Sequence, residues 1–462
     1  MKKITHFLCL GLISFSAFAQ DAPHVFGRKV QSVNPTTGII RCASSEYESY
    51  LQEKNPKRTT TEKFEEWLAP KVAATKSDLL ARRGTAGTNA VITIPVVVHV
   101  IHSGQSVGSG RNISDARVNS QITVLNQDFR RMLNTPGYNT NPVGADVEIE
   151  FCLAKVDPNG NPTNGIDRVN LGTTTWSEAN VESILKPQTI WDPTRYFNIW
   201  VCQFGGDLNG VLGYAQFPLD SGLGGLDPDG TETEFTDGVI IEWRAFGSSD
   251  FTGAGGTYFS DIDKGRTTTH ETGHFLGLRH IWGDNSSCTV NTADSRQDYC
   301  PDTPAANTMH YDCAQEYDSC TSAPGKDMTE NYMDYSNDTC MNIFTLDQKA
   351  RMMTVMQNSP RRSTLKTSTV CQPPLSNPSF ELLHGIKLYP NPANDVLNIA
   401  VSDSSKTPDS YTIYNSLGQV IKLATSVNEA NLKVDTSNYA TGIYMIRFTK
   451  GNETKTLQFV KN

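Results

Sequence analysis

Residues 268–280 read TTHETGHFLGLRH, which sets three histidines and a glutamate in one short stretch. His270 and His274 are four apart, so a helix would carry both imidazoles on one face, a turn apart. Both could then reach a single Zn²⁺ at about 2.0–2.1 Å each. Glu271 falls beside them, suited to act as general base on water activated by that metal. A third ligand is needed. Gly277 can end the helix in a left-handed conformation at little cost, letting the chain swing His280 back toward the metal. Three protein ligands leave one position open, the catalytic arrangement, whereas a structural zinc is closed by four. His270, Glu271, His274, Gly277 and His280 fix five residues at set spacing, far rarer by chance than a His-Glu-x-x-His alone. One catalytic Zn²⁺ is therefore the expected cofactor.

Such a site needs rigid support. VITIPVVVHVIH from Val91 is a near-continuous β-branched run, the pattern of a strand buried on both faces. A helix should follow from a Ser114 cap, with Val118, Ile122, Leu125 and Phe129 on one face. VEIEFCLAKV, YFNIWVCQF and DGVIIEWRAF read as strands, and NGVLGYAQFP as an edge strand. TLDQKARMMTVMQN reads as a helix behind a Thr345/Gln348 capping box. This order predicts an α/β catalytic domain with a twisted mixed sheet and an active-site helix. The Pro-rich CQPPLSNPSF then marks a boundary, and the short alternating strands of 386–462 predict a small all-β sandwich.

The chain has 462 residues and a formal net charge of −9. That charge argues against a nucleic-acid partner, since phosphate binding needs a basic surface. No run of roughly 18 apolar residues follows residue 20, so no transmembrane span is expected. Residues 1–19 have a Lys2-Lys3 n-region, a short apolar core and an AFA cleavage site, which reads as a signal peptide. Residues 20–83 are polar and end at Arg82-Arg83 before small residues, which reads as an exposed, cleavable linker, the alternative being an ordinary domain linker that is not cut. The expected division is 20–83 pro-segment, 84–365 catalytic domain, 366–385 linker and 386–462 tail. Of ten cysteines, Cys9 lies in the leader, so nine remain in an oxidising compartment and one thiol is left over. Cys42, isolated from the rest, is the obvious one.

ENYMDYSNDTCMNIFT places Met333 in a polar turn some fifty residues after His280. This resembles the Met-turn of metzincin proteases. With HETGHFLGLRH, the DTP at 302–304, LNQDFRR (125–131) and NGIDRV (164–169), residues of about 90–360 resemble the pappalysin family of metzincins. The resemblance implies a zinc endopeptidase in which Tyr335 steadies the oxyanion and Asp338 lies at the base of the S1′ pocket. A carboxylate there would favour Arg or Lys after the scissile bond. It further implies disulfides Cys288–Cys320 and Cys313–Cys340, and a structural Ca²⁺ near Asp298 and Thr303. Cys300 departs from the family pattern. Cys371 could pair with it, or it stays a free thiol, and Cys152 and Cys202 are either a disulfide or two buried thiols. Cys42 resembles a cysteine switch, a thiolate that fills the fourth zinc position until the pro-segment is cut. The tail (LYPNPANDVLNI, YTIYNSLGQVI, DTSNYATGIYMIRF) resembles the sorting domain of the type IX secretion system.

Together these readings give a secreted or surface-attached zymogen, expected to be a monomer, with protein or peptide substrates and the secretion machinery as partners. A non-catalytic surface binding protein on the same fold is the competing reading. It has no use for a general base beside zinc, so Glu271 weighs against it. A zinc hydrolase of non-peptide esters or amides shares the ligands, but not the pro-segment or the Asp338 pocket.

Overall fold

The computed structural model describes residues 23–82, 91–221, 232–288, 298–373 and, toward the C-terminus, 383, 386–401, 407–427, 432–451 and 453–462. The leader and Arg83 lie outside the described residues. The chain divides into two compact units, Met1–Gln372 and Pro373–Asn462.

The first unit is built on β1 (Ile92–His102), whose residues 94–101 are all buried. A strand covered on both faces has no solvent side to alternate with, hence its unbroken apolar run. Its one polar interior residue, His99, is satisfied by Asp167 and Asn198. Strands β2 (Ile149–Leu153) and β3 (Ile166–Asn170) pair in parallel with successive halves of one edge of β1. β4 (Phe197–Cys202) pairs in parallel with β1 on the other side. β5 (Gly213–Ala215) and β6 (Val239–Glu242) complete the order β2-β1-β4-β6-β5, with β5 the antiparallel edge. Helix α3 (Asp115–Phe129) starts at Ser114, which accepts from Arg117 N at 3.2 Å. Its Val118, Ile122, Leu125 and Phe129 enter the main core together with Phe275 and Leu276.

Sequence patterning left the pro-segment without elements, yet it folds. Helices α1 (Ser44–Lys54) and α2 (Thr61–Arg82) are mostly polar, so their order comes from tertiary packing rather than amphipathic patterning. Tyr47 and Leu51 enter a core with Trp200 and Tyr214, while Phe64 and Leu68 pack on Val355 of α5 (Leu346–Asn358). Residues 40–43 lie along the open edge at β5: Ile40 N donates to Gly210 O (2.9 Å), Leu212 N to Ile40 O (3.0 Å) and Ala43 N to Gly213 O (3.1 Å). An unpaired strand edge is a ready template for a further strand.

Disulfides Cys288–Cys320 and Cys313–Cys340 are formed, and a third joins Cys152 to Cys371. Cys42, Cys202 and Cys300 are free and buried. Cys152 therefore does not pair with Cys202, nor Cys371 with Cys300. The first pairing is barred by β1, which lies between β2 and β4 and holds them about two strand spacings (~9.6 Å) apart. The Cys371 bond also carries the first unit past the expected Leu365 boundary to Gln372.

The second unit pairs two antiparallel sheets. One holds β7 (Lys387–Tyr389), β8 (Val396–Ala400) and β11 (Lys433–Asp435); the other holds β9 (Ser410–Asn415), β10 (Val420–Ala424), β12 (Gly442–Lys450) and β13 (Glu453–Lys461). Leu397, Ile413, Val434, Ile446 and Phe459 fill the core between them.

Candidate active site

Helix α4 (Arg266–Phe275) carries HETGH and is buried along its whole length. Its N-terminus follows Gly265 and has no side-chain cap from that position. Asp338 supplies one instead: its Oδ2 accepts from Lys264 N (2.9 Å) and Arg266 N (3.2 Å). A carboxylate there also complements the helix dipole. At the other end Gly277 takes φ +91°, with Gly277 N bonded to His274 O (2.8 Å) and Leu278 N to Gly273 O (2.9 Å). That pair of bonds is a Schellman stop, and a Cβ on Gly277 would lie 2.8 Å from Val355. Beneath α4, Met333 Sδ would meet a Cβ on Gly273 at 2.5 Å, so the glycine of HETGH makes room for the methionine turn.

The three imidazoles converge. His274 Nε2 is 3.1 Å from both His270 Nε2 and His280 Nε2, which are 3.3 Å from each other. Each opposite nitrogen is engaged: His270 Nδ1 by Tyr332 O (2.7 Å), His274 Nδ1 by Leu278 O (2.9 Å) and His280 Nδ1 by Asp284 Oδ1. Those acceptors require the proton on Nδ1, leaving three Nε2 lone pairs pointed at one another. Burial lowers the His270 and His274 pKa values well below normal, which keeps them neutral. Although burial opposes it, His280 and Ser45 hold the Asp284 carboxyl down at about 2. Three lone pairs at this spacing repel unless a cation sits among them. Tetrahedral nitrogens about 2.05 Å from a zinc stand about 3.3 Å apart, so the donor set fits.

Cys42 completes this cluster, its ligand atom lying within 4.8 Å of all three histidine atoms. Burial first, and then Glu271, push its thiol pKa well up; a cation beside it would oppose both. Glu271 Oε2 accepts from Ser44 Oγ (2.7 Å) and from Cys42 Sγ (3.4 Å), while its buried Oε1 has no partner. Burial pushes the Glu271 carboxyl up to about 7. Arg41 Nη2 pairs with Asp338 Oδ1 at 2.7 Å, the side chains being 3% and 0% exposed. Tyr335 is buried against His270, His280 and Trp282, and burial raises its phenol well above 10.

The structure thus gathers His270, Glu271, His274, His280, Tyr335, Met333, Asp338 and Cys42 at one place. Asp298 and Thr303 also meet, Thr303 Oγ1 donating to Asp298 Oδ2 at 2.8 Å. Among the described residues the histidine site is the only cluster of metal-binding side chains found. Sequence reasoning missed Arg41, Ser44 and Asp284. Asp284 stands four residues after His280, a spacing that could have exposed it; Arg41 and Ser44 flank Cys42, and nothing local marks their partners.

Known proteins bear on both units. The secretion-system C-terminal sorting domain pattern matches residues 387–462, and the pregnancy-associated plasma protein-A pattern matches 252–357. An extracellular metalloprotease of Sordaria macrospora is 30% identical over 282 residues, 61% of this chain and 81% of that protein. Mature mirolysin of Tannerella forsythia, solved with a cleaved peptide, is 40% identical over 60% of this chain and 97% of its own (TM-score 0.50). A promirolysin mutant of the same organism is 35% identical over 71% and 97% (TM-score 0.52). No described helix is long and apolar enough to cross a membrane. The sorting tail marks the protein for secretion or attachment to the outer cell surface. On these likenesses the chain belongs to the pappalysin family and is a secreted zinc metalloendopeptidase made as a zymogen.

Proposed function

We propose that the activated enzyme cuts peptide bonds before Arg or Lys, with His270, His274 and His280 holding the zinc. One observation carries the specificity: the pro-segment seats its own Arg41 on Asp338, both side chains buried, with the Arg41 charge near enough to act on His270. A substrate arginine can make the same charge-assisted bond once Arg41 leaves. When bound, zinc supplies Lewis acidity to the peptide carbonyl and to water. Glu271 takes the proton of the attacking water at its carboxylate and returns it to the leaving amine. Release of Ser44 and Cys42 frees Oε2 for this work. Tyr335 keeps its proton far above neutral pH and so serves as a donor to the oxyanion.

In the zymogen, residues 20–83 silence all three parts together: Cys42 at the metal, Ser44 on the base and Arg41 in the specificity pocket. Cleavage at Arg82-Arg83 releases the catalytic domain, which begins at about residue 84 and acts as a monomer. The leader ends at residue 19, and the tail from 386 is the export address. Calcium at Asp298 and Thr303 stiffens its loop, which a fall in melting temperature with a calcium-selective chelator would reveal. The deciding experiment is cleavage of a mixed peptide library by protein processed after Arg83, against Glu271→Ala. Cuts before Arg or Lys that vanish in the variant and with zinc chelation are expected. Cuts without that preference would sink the Asp338 assignment and leave the protease.

A further inference from the structure

Glu65 of α2 ends in a pocket made by the catalytic part of the chain. Arg351 grips its carboxylate with both guanidinium nitrogens, Nη1 to Oε2 at 2.7 Å and Nη2 to Oε1. Arg279 Nε lies 3.6 Å from Oε1, and that nitrogen has no hydrogen-bond partner. The three side chains are 7%, 3% and 11% exposed, so two cations share one carboxylate almost out of water. Among the described residues Glu65 is the only carboxylate in ion-pair range of either arginine.

Both arginines are held independently of Glu65. Arg351 Nε donates to Gly277 O at 2.6 Å. The Arg279 guanidinium lies 4.4 Å over the Phe217 ring, itself 5.1 Å from the His274 ring. They stand beyond the C-terminal end of α4, whereas Asp338 caps its N-terminal end. Arg279, Gly283, Asp284 and Tyr299 also form one wall of a cavity of about 350 Å³ whose opposite wall is pro-segment. When α2 departs, the cations stay in place and this wall becomes part of the open cleft. Freed of Glu65, the two cations remain positioned by Gly277 O and the Phe217 ring, and a planar guanidinium fork is suited to grip another carboxylate.

We propose that, after activation, Arg279 and Arg351 form a subsite for a glutamate or aspartate side chain of the substrate, N-terminal to the scissile bond. The side assigned rests on the reading that the Asp338 pocket takes the residue after that bond; the carboxylate preference does not. With α4 spanning about 15 Å and an extended chain advancing about 3.3 Å per residue, the acidic residue falls roughly two to five positions upstream.

The test uses full-length protein processed after Arg83 and fluorogenic peptides with Arg fixed after the scissile bond. Glu or Gln is placed at each of the upstream and downstream positions, with free-acid and amidated C-termini. Glu should raise kcat/KM about tenfold over Gln at one upstream position, with no effect of the terminus. The Glu-to-Gln ratio should fall to within about twofold in Arg279→Gln. A ratio near one in the wild type, or a preference that survives Arg279→Gln, overturns the subsite. A preference only downstream, or only for a free C-terminus, overturns the side or the source of the carboxylate. Fluorescence-polarisation binding of the same peptides to processed Glu271→Gln protein reads the subsite without turnover. There, Glu peptides binding no tighter than Gln peptides would also overturn it, while tight binding without cleavage by the wild type would count against the cleavage specificity alone.

Discussion

Arg41→Ala in the proenzyme removes the guanidinium that pairs with Asp338 at 2.7 Å in a site 3% and 0% exposed. Solvent screens such a pair little, so the loss is not the fraction of a kcal/mol typical of surface pairs. Nor does it strand a whole charge, because Asp338 Oδ2 keeps the Lys264 and Arg266 amides. What disappears is one charge-assisted hydrogen bond to Oδ1, about 2–3 kcal/mol of pro-segment docking. At about 1.4 kcal/mol per factor of ten, opening of residues 40–44 becomes about 30- to 150-fold more frequent. Alkylation of Cys42 in the unprocessed, metal-loaded protein, followed by peptide mass spectrometry, reads that opening without needing activity. Arg41→Lys keeps a cation and should stay within about tenfold of wild type. If the alanine variant labels within about threefold of wild type, the pair contributes nothing to latency and the reasoning fails.

Other expectations concern the scaffold. Gly277→Ala forces a side chain into φ +91° and toward Val355; a melting-point drop worth at least about 1–2 kcal/mol and a lower zinc content are expected, and an unchanged protein would refute the role given to the turn. Removing the Cys152–Cys371 bond, which closes 219 residues, should cost up to about 5 kcal/mol in denaturant unfolding of the first unit. His310 lies between Asp334 and Asp327, 3.1 Å from each. Burial opposes its charge, yet the hydrogen bond that it donates to Asp334 and the charges of Asp334, Asp327 and Asp312 raise its pKa. A raised folded-state pKa stabilises the fold fully below the unfolded value of about 6.5 and ceases to do so as pH rises through the folded value. The melting-temperature advantage over His310→Gln should therefore be largest at mildly acid pH; an advantage that grows toward about pH 8 would contradict the sign.

The parts of the site that could be read from sequence are those whose partners lie within one turn or one loop. His270, Glu271, His274, Gly277 and His280 declare themselves because helical spacing and one glycine stop decide where they point. Strand β1 and the Ser114 and Thr345 caps are legible for the same reason. The pro-segment was opaque because its helices have no strong apolar stripe of their own. They borrow order from surfaces formed hundreds of residues later: Arg41 from Asp338, 297 positions on, and Glu65 from Arg351, 286 positions on. Cys42 is visible as an arithmetic remainder, a thiol without a partner, and by its resemblance to a cysteine switch, whereas nothing local marks Arg41, Ser44 or Glu65. Once the fold is present, the same segment becomes informative in reverse. Four of its buried side chains, Cys42, Ser44, Arg41 and Glu65, mark features of the surface beneath them: a thiol over lone pairs, a hydroxyl on a carboxylate, a guanidinium on a carboxylate and a carboxylate on two guanidinium groups. A segment that must leave before the enzyme works cannot be there to complete the catalytic machinery. What it covers is therefore what a substrate meets, and Glu65 extends that correspondence beyond the bond that is cut.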